Sequence, residues 1–354
     1  MKKNSVKNII IEDRLIGQDQ PTYVIAEIGS NHNGDLATAM QMIEVAADAG
    51  VDAVKFQAFK AQKHYSKFTP GFSYLNKAGI SLSTYDLIKS LEINREWHAE
   101  LLAYAKKCGV TFLSSPCDKE AVMQLHDIGM PAFKVASFDL PDLDLIGFIA
   151  ALKKPVILST GMADYSDIQA ALRVCKNVGN EDIMLLQCTS LYPAPVHVAN
   201  LAAIQTMFQA FGNIIGYSDH TLGWHIVLAS VAHGAKIIEK HFTLDRNQHG
   251  PDHTFAIEPH ELKIMVQQIR DIEAALGDGI KNGPSIEEAE MFQKGRRSVH
   301  VTKRLESGQV IKKEDLCIKR PGYGVSPAIF DKIVGMTVKK DIPEDHWITW
   351  EDLK

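Results

Sequence analysis

The sequence predicts an α/β protein: a (β/α)8 TIM barrel followed by a small β-rich domain. Eight short apolar runs recur between Tyr23 and Phe242, each bounded by polar or turn residues. Stretches with helical apolar spacing separate them, and regular alternation of strand and helix means a parallel sheet. Polar side chains cluster after nearly every run. An open, doubly wound sheet would gather them at one switch point, so the barrel is preferred.

The strands are expected at 23–28, 53–57, 111–115, 133–137, 156–160, 183–189, 214–219 and 237–242. They are apolar nearly throughout, as strands buried on both faces must be. Between them, Leu36, Ala39, Met40, Ile43 and Ala46 recur at helical spacing, as do Trp97, Leu101, Leu102 and Ala105. A helix Pro259–Leu276 ends the pattern, stopped by Gly277-Asp278-Gly279. Asn282-Gly283-Pro284-Ser285 then opens a polar connector. These signals place a barrel domain at 1–280, a linker at 281–294 and a tail domain at 295–354. Within the tail, strands are expected at 298–302 and 334–338. Lys319-Arg320-Pro321-Gly322-Tyr323-Gly324-Val325-Ser326-Pro327 is expected to be a shaped loop.

Composition narrows the class. The 354 residues are 45% hydrophobic and 23% charged with a net charge of −5, which supplies no global field for nucleic acid. The 5 cysteines are scattered, odd in number and without a C-x-x-C pair, which argues against a disulfide framework. Ile9-Ile10-Ile11 is followed at once by Glu12-Asp13-Arg14, so no leader-like apolar core forms, and no run is long enough to span a bilayer. A cytoplasmic protein is the expectation.

Side chains two apart on a strand share a face. Lys55 with Gln57, Ser218 with His220 and Glu239 with His241 therefore point together. If those faces line the barrel, its mouth collects Glu27, Lys55, Gln57, Ser115, Lys134, Ser137, Thr189 or Ser190, Ser218, His220 and His241. Lys55 in Ala53-Val54-Lys55-Phe56-Gln57 and Lys134 in Phe133-Lys134-Val135 interrupt apolar strands, where an unpaired ammonium is costly. Two such lysines among hydroxyls suit a phosphate or carboxylate. Histidines ending two successive strands, with a carboxylate, suit Mn2+, Mg2+ or a similar ion. The bland alternatives are a lone structural histidine, a Glu27 that merely pairs a lysine, and Asn31-His32-Asn33-Gly34-Asp35 as a turn and helix cap. Cys117 and Cys188 fit small core positions better than nucleophiles.

Taken together and in order, these segments resemble the sialic acid (nonulosonic acid) synthase family. The resemblance rests on Ala26-Glu27-Ile28-Gly29, Asn31-His32-x-Gly34, Val54-Lys55-Phe56-Gln57 and Leu158-Ser159-Thr160-Gly161-Met162. It continues in Cys188-Thr189-Ser190-x-Tyr192-Pro193, Tyr217-Ser218-Asp219-His220-Thr221, Glu239-Lys240-His241-Phe242 and Gly250-Pro251-Asp252-His253. The tail, with Arg320-Pro321-Gly322, is similar to the family's antifreeze-like SAF (β-clip) domain. The resemblance implies condensation of phosphoenolpyruvate with an N-acylated amino-hexose, N-acetylmannosamine or a 6-deoxy-2,4-diacetamido relative, to a nine-carbon 2-keto-3-deoxy acid and phosphate. Metal ligands then fall on His220 and His241, with Mn2+ foremost and Mg2+ or Co2+ as alternatives. Phosphoenolpyruvate contacts fall on Lys55, Ser115, Lys134, Ser137, Ser190 and Ser218. Sugar contacts fall on Gln57, Asp139, Tyr192, Asp252 and Arg320, and Glu27 falls on the active-site carboxylate. The family also implies a domain-swapped homodimer in which Arg320 acts on the partner's barrel.

Three positions carry conflicting branch signals. Phe138-Asp139 and Ser190 look like the pseudaminic acid branch, whereas Gly250-Pro251-Asp252-His253 looks like the sialic and legionaminic branches. Two other readings compete with a synthase. One is an aldolase or lyase on the same barrel with Lys134 as a Schiff-base lysine; the other is a carbohydrate-binding or structural protein whose tail does the work.

Overall fold

The structure is a computed structural model that describes residues 7–71 and 82–354. It comprises two compact units, Met1–Gly277 and Asp278–Lys354.

The first unit opens with an antiparallel hairpin, β1 (Ile9–Ile11) and β2 (Arg14–Ile16). Eight strands follow: β3 (Tyr23–Gly29), β4 (Ala53–Ala58), β5 (Thr111–Pro116), β6 (Phe133–Val135), β7 (Val156–Ser159), β8 (Ile183–Cys188), β9 (Ile214–Asp219) and β10 (Ile237–His241). Their order is β5-β4-β3-β10-β9-β8-β7-β6, with every ladder parallel. With β5 also lying against β6, this is a nearly closed barrel. The apolar runs become its staves because helices cover the outside and side chains fill the inside.

Period-two alternation sorts the strand residues into two cores. Val24, Ala26, Val54, Phe56, Phe112, Leu158, Leu185, Ile215 and Ile238 pack outward against the helices. Tyr23, Ile25, Ala53, Leu113, Ala132, Ile157, Met184, Leu186, Ile214 and Ile237 fill the interior. Counting on by twos from each interior residue leads to Glu27, Lys55, Gln57, Ser115, Lys134, Ser159, Cys188, Ser218, Glu239 and His241. Polar side chains therefore occupy the inner face toward the strands' C-terminal ends, where barrel chemistry is built.

The hairpin closes the opposite end. Ile9, Ile11 and Ile16 belong to the interior cluster. Buried Asp52 anchors them there: its Oδ2 accepts from Val24 N at 2.8 Å, and its carboxylate pairs with Arg14 and Arg270. From the sequence this isoleucine run looked only like a leader that failed to form, because three residues carry no measurable period.

Aspartates at the tops of strands cap several helices. Asp35 Oδ2 accepts from Thr38 N at 2.7 Å, and Asp118 and Asp142 cap the helices Lys119–Asp127 and Leu143–Ala151 in the same way. The strand expected at 133–137 stops at Val135. The chain there tightens into the 3-10 turn Ser137–Asp139, closed by Asp139 N donating to Ala136 O at 3.0 Å, which turns Ser137 and Asp139 over the barrel end.

On the outer face, Asp219 and Lys240 are both fully buried, with Lys240 Nζ 2.7 Å from Asp219 Oδ2. Lys240 also donates to Thr221 O, and Asp219 accepts from Thr221 N and Oγ1, both at 3.1 Å. Breaking such a pair leaves an uncompensated interior charge. Lys240→Met is expected to cost about 3–5 kcal/mol of stability, read as a lower urea midpoint at unchanged slope. An unmoved midpoint would show that Asp219 finds another partner or a proton.

The second unit pairs β11 (Ser298–Val301) with β12 (Leu316–Lys319), Ser298 opposite Lys319. Val299, Val301, Leu305, Ile311, Leu316, Val325, Ile333, Val338, Ile342, Ile348 and Leu353 form its core. The expected strand at 334–338 does not form. A helical turn, Phe330–Ile333, runs into Gly335 at φ 89°, a conformation that ends extension, and only Thr337 and Val338 make isolated bridges. The second strand of the pair is Leu316–Lys319, which the sequence reading missed. The 281–294 connector contains the start of a short helix, Ala289–Gly295. The loop at 320–326 is irregular as expected, and Arg320 is exposed there, its Nε donating to Gly295 O at 2.6 Å. No helix among the described residues is long and apolar enough to cross a membrane.

Candidate active site

Four ionisable side chains form one buried chain of charge at the barrel mouth. Lys55 Nζ lies 2.7 Å from Glu27 Oε2 and 3.8 Å from Glu239 Oε2. Lys134 Nζ lies 3.3 Å from Glu239 Oε1, which also accepts from Ser218 Oγ at 3.0 Å. Gln57 Nε2 donates to Glu27 Oε1 at 2.6 Å, and Lys55 Nζ donates to Ser115 Oγ at 3.2 Å. Strand register produces this contact set, because Glu27 stands opposite Lys55, Gln57 opposite Ser115, and Ser218 opposite Glu239. Burial is what makes the pairing obligatory.

Glu239 is the hub, touching both lysines and Ser218. The sequence placed it on the same face as His241 but gave it no role. A signal was available: two buried lysines and one Glu27 leave a cation over, and Glu239 was the inward carboxylate left to match it.

The electrostatics are uneven. Burial pushes Glu239 up, but Lys134, Lys55 and the Ser218 hydroxyl outweigh it and hold the carboxyl below the usual range. Burial raises Glu27 above its ordinary value, with Lys55 opposing and Glu239 adding to the rise. Burial works against the Lys55 ammonium, yet Glu239 and Glu27 overcome it and raise its pKa. At Lys134 burial wins and its pKa falls, with Glu239 opposing only in part. Lys134 is thus the cation with an unmet need for negative charge.

The two histidines end or follow adjacent strands, with ring centroids 5.3 Å apart. His220 Nδ1 is 2.9 Å from Thr189 O, and a carbonyl only accepts, so Nδ1 carries a proton and Nε2 is the nitrogen left to face an ion. Burial works against the His220 cation, but Cys188 and the Thr189 carbonyl outweigh it and raise its pKa, so an ion bound there displaces the Nε2 proton. His241 Nδ1 is buried without a hydrogen bond and lies 3.6 Å from Asp252 Oδ2. Burial, then His220 and Lys55, hold His241 well below the usual imidazole range, so it is neutral as a ligand must be. Burial also lifts Asp252 to about 6. An orphaned buried ring nitrogen, a fixed tautomer and an adjacent carboxylate fit a divalent cation. Tyr192 packs beside this group, its ring centroid 4.4 Å from that of His220.

The two halves meet at Gly29, whose backbone has φ 55°. A β-carbon there would sit 3.2 Å from Glu27 Oε1, 3.4 Å from Gln57 Nε2 and 3.6 Å from Asp252 Oδ2. Gly161 plays the same part on the other side, where a β-carbon would fall 2.8 Å from Ser137 Oγ and closer still to Ser190 Oγ. Gly161 N donates to Ser137 Oγ at 2.9 Å, and Ser190 Oγ is buried without a partner among the described residues.

Of the residues expected at the site, the barrel thus brings together Glu27, Lys55, Gln57, Ser115, Lys134 and Ser218, with Ser137 and Ser190 paired at Gly161 and Tyr192, His220, His241 and Asp252 grouped at the histidines. Asp139 lies beside Cys117 and His64, the latter unforeseen. Arg320 belongs to the second unit. Asn31-His32-Asn33-Gly34-Asp35 is a turn and cap in which His32 packs against Phe56 and Trp97.

Known proteins are similar to this chain along most of its length. A sequence model described as the NeuB family matches residues 42–281, and one described as the SAF domain matches residues 296–354. The chain is 44% identical over 330 residues to an N,N'-diacetyllegionaminic acid synthase of Campylobacter jejuni, covering 92% of this chain and 98% of that protein. It is 32% identical to a pseudaminic acid synthase of Helicobacter pylori, covering 95% and 98%. The solved structure of an N-acetylneuraminic acid synthetase from Leptospira borgpetersenii superposes with a TM-score of 0.72 at 36% identity, covering 81% of this chain and 96% of that one.

Proposed function

Because the chain belongs to the NeuB family of nonulosonic acid synthases and carries a C-terminal SAF domain, we propose that it condenses phosphoenolpyruvate with a 6-deoxy-2,4-diacetamido hexose. The observation that carries this reading is the buried Glu27–Lys55–Glu239–Lys134 chain, which puts two ammonium groups under the barrel mouth beside a histidine pair. The diacetamido sugar is favoured over N-acetylmannosamine by the 44% identity to the legionaminic acid synthase.

In this reading Lys55, Lys134 and the hydroxyls of Ser115, Ser137, Ser190 and Ser218 bind the phosphate and carboxylate of phosphoenolpyruvate. Lys134, short of negative charge, gains most from that dianionic partner. Gln57, Asp139, Tyr192 and Asp252 orient the sugar, and Arg320 reaches it from the partner protomer of a domain-swapped dimer. His220 and His241 would hold a divalent cation, Mn2+ foremost, which would supply Lewis-acid polarisation of the aldehyde oxygen beside Asp252. The π pair of phosphoenolpyruvate bonds C3 to the aldehyde carbon and leaves an oxocarbenium at C2. The carbonyl π pair moves onto the aldehyde oxygen as an alkoxide, which takes the proton later released from water through Glu27. Water adds to C2 and gives its proton to Glu27, whose raised pKa suits it to take one. The C2 hydroxyl loses its proton as the C2–O bond to phosphate breaks, yielding the keto acid. Closure of the site keeps stray water from the intermediate.

The direct test is inorganic phosphate release with phosphoenolpyruvate, Mn2+ and a panel of N-acetylmannosamine and 2,4-diacetamido hexoses. Phosphate is expected in step with a nine-carbon keto acid, fastest with a diacetamido sugar. No release above the rate with phosphoenolpyruvate alone, for every sugar, would overturn the reading. Faster turnover of N-acetylmannosamine would overturn the choice of sugar.

A further inference from the structure

A second cluster of metal-ligating groups lies at the tops of β4, β5 and β6, apart from the histidines that end β9 and β10. His64 closes the short helix after β4, Cys117 follows β5, and Asp139 ends the 3-10 turn after β6. Cys117 Sγ is 3.6 Å from Asp139 Oδ2, and His64 Nδ1 is 3.7 Å from Asp139 Oδ1. One donor atom from each of the three lies within 4.8 Å of the other two.

The two pairwise separations, made to the two different oxygens of Asp139, match those of ligands around a small ion, and the three-way set within 4.8 Å has to draw in slightly to hold one. Donors about 2.0–2.3 Å from a tetrahedral zinc stand roughly 3.3–3.8 Å from one another. The donor set is imidazole, thiol and carboxylate, and a thiolate selects a thiophilic ion over Mg2+ or Mn2+. Arg95, the neighbouring fixed cation, is occupied with Asp118 and with Ala58 O, so its charge is met locally. Those contacts tie together the segments that follow β4 and β5, which present His64 and Cys117. Three protein ligands leave the fourth position of a tetrahedral ion open.

We propose that His64, Cys117 and Asp139 form a zinc site, distinct from the histidine pair, whose occupancy removes Asp139 from the amino sugar. The second half rests on the sugar role proposed for Asp139; the first half does not. Zn2+ then inhibits in competition with the sugar, because one carboxylate cannot serve both.

The site is tested on the full chain without any turnover. Co2+ titration is expected to give a thiolate-to-cobalt charge-transfer band that Zn2+ displaces. Cys117→Ser is expected to abolish the band and to weaken Zn2+ binding by more than about 100-fold, since loss of an outer-shell partner alone costs roughly 10–100-fold. His64→Ala, on a short helix at the barrel rim, is expected to weaken binding with an unchanged circular dichroism spectrum. No band in the wild type overturns the site. A band that survives Cys117→Ser also overturns it, placing the thiolate at Cys188 beside His220 instead. In the assay, Zn2+ is expected to raise the apparent KM for the sugar in the wild type and far less in His64→Ala. Cobalt binding at Cys117 with non-competitive inhibition would retain the site and overturn the link to the sugar.

Discussion

Lys134→Met is expected to lower kcat/KM for phosphoenolpyruvate by about 10²–10³, the usual consequence of removing one preorganised group that stabilises developing charge. Methionine keeps the length of the stem and removes only the ammonium. Glu239 would still contact Lys55 and accept from Ser218, so the interior carboxylate is not stranded and the barrel should hold. The loss is therefore catalytic, and unchanged thermal unfolding alongside the fallen rate is the check. A variant within tenfold of wild type would remove Lys134 from the phosphoenolpyruvate site. The same lysine separates the synthase from a Schiff-base aldolase, for which its lowered pKa is also suited. Borohydride in the presence of phosphoenolpyruvate and sugar is expected to leave the mass of the chain unchanged. A reduced adduct on Lys134 would establish the aldolase route.

Stripping divalent cations is expected to abolish turnover, and Mn2+ is expected to restore it. Lewis-acid activation of the aldehyde contributes several kcal/mol, which at about 1.4 kcal/mol per factor of ten exceeds 10²-fold. The chain's own contribution is a ready ligand pair, His220 fixed by Thr189 O and His241 neutral with an orphaned Nδ1, with Asp252 beside it. His241→Ala should then lose both activity and Mn2+ binding followed by electron paramagnetic resonance, with no rescue by added Mn2+. Full activity after exhaustive chelation would remove the cation from the reaction. Retained Mn2+ binding in His241→Ala would move the cation to other ligands.

Much of the site was legible because burial makes charge conspicuous. A lysine inside an apolar strand has no inexpensive structural role, so Lys55 and Lys134 stood out in the bare sequence. His220 and His241 stood out by ending successive strands. Glu239 did not, since a carboxylate near a strand end is unremarkable until two ammonium groups are seen to share it. His64 ends a four-residue helix and Cys117 lies in a loop, neither long enough for a period to relate one residue to another, and only folding sets them against Asp139. The hairpin Ile9–Ile16 and the strand Leu316–Lys319 were missed for a related reason: each strand is too short to show its alternation.

The sequence by itself determined the barrel, its eight strands and the parity of their side chains. These follow from local geometry, which a period of two records in the order of residues. Only the tertiary structure decided which charges pair. It set Glu27 opposite Lys55, gave Glu239 both lysines, and turned Asp139 toward Cys117 and His64. Register between strands far apart in the chain fixes those distances, and the low dielectric of the barrel mouth makes them consequential.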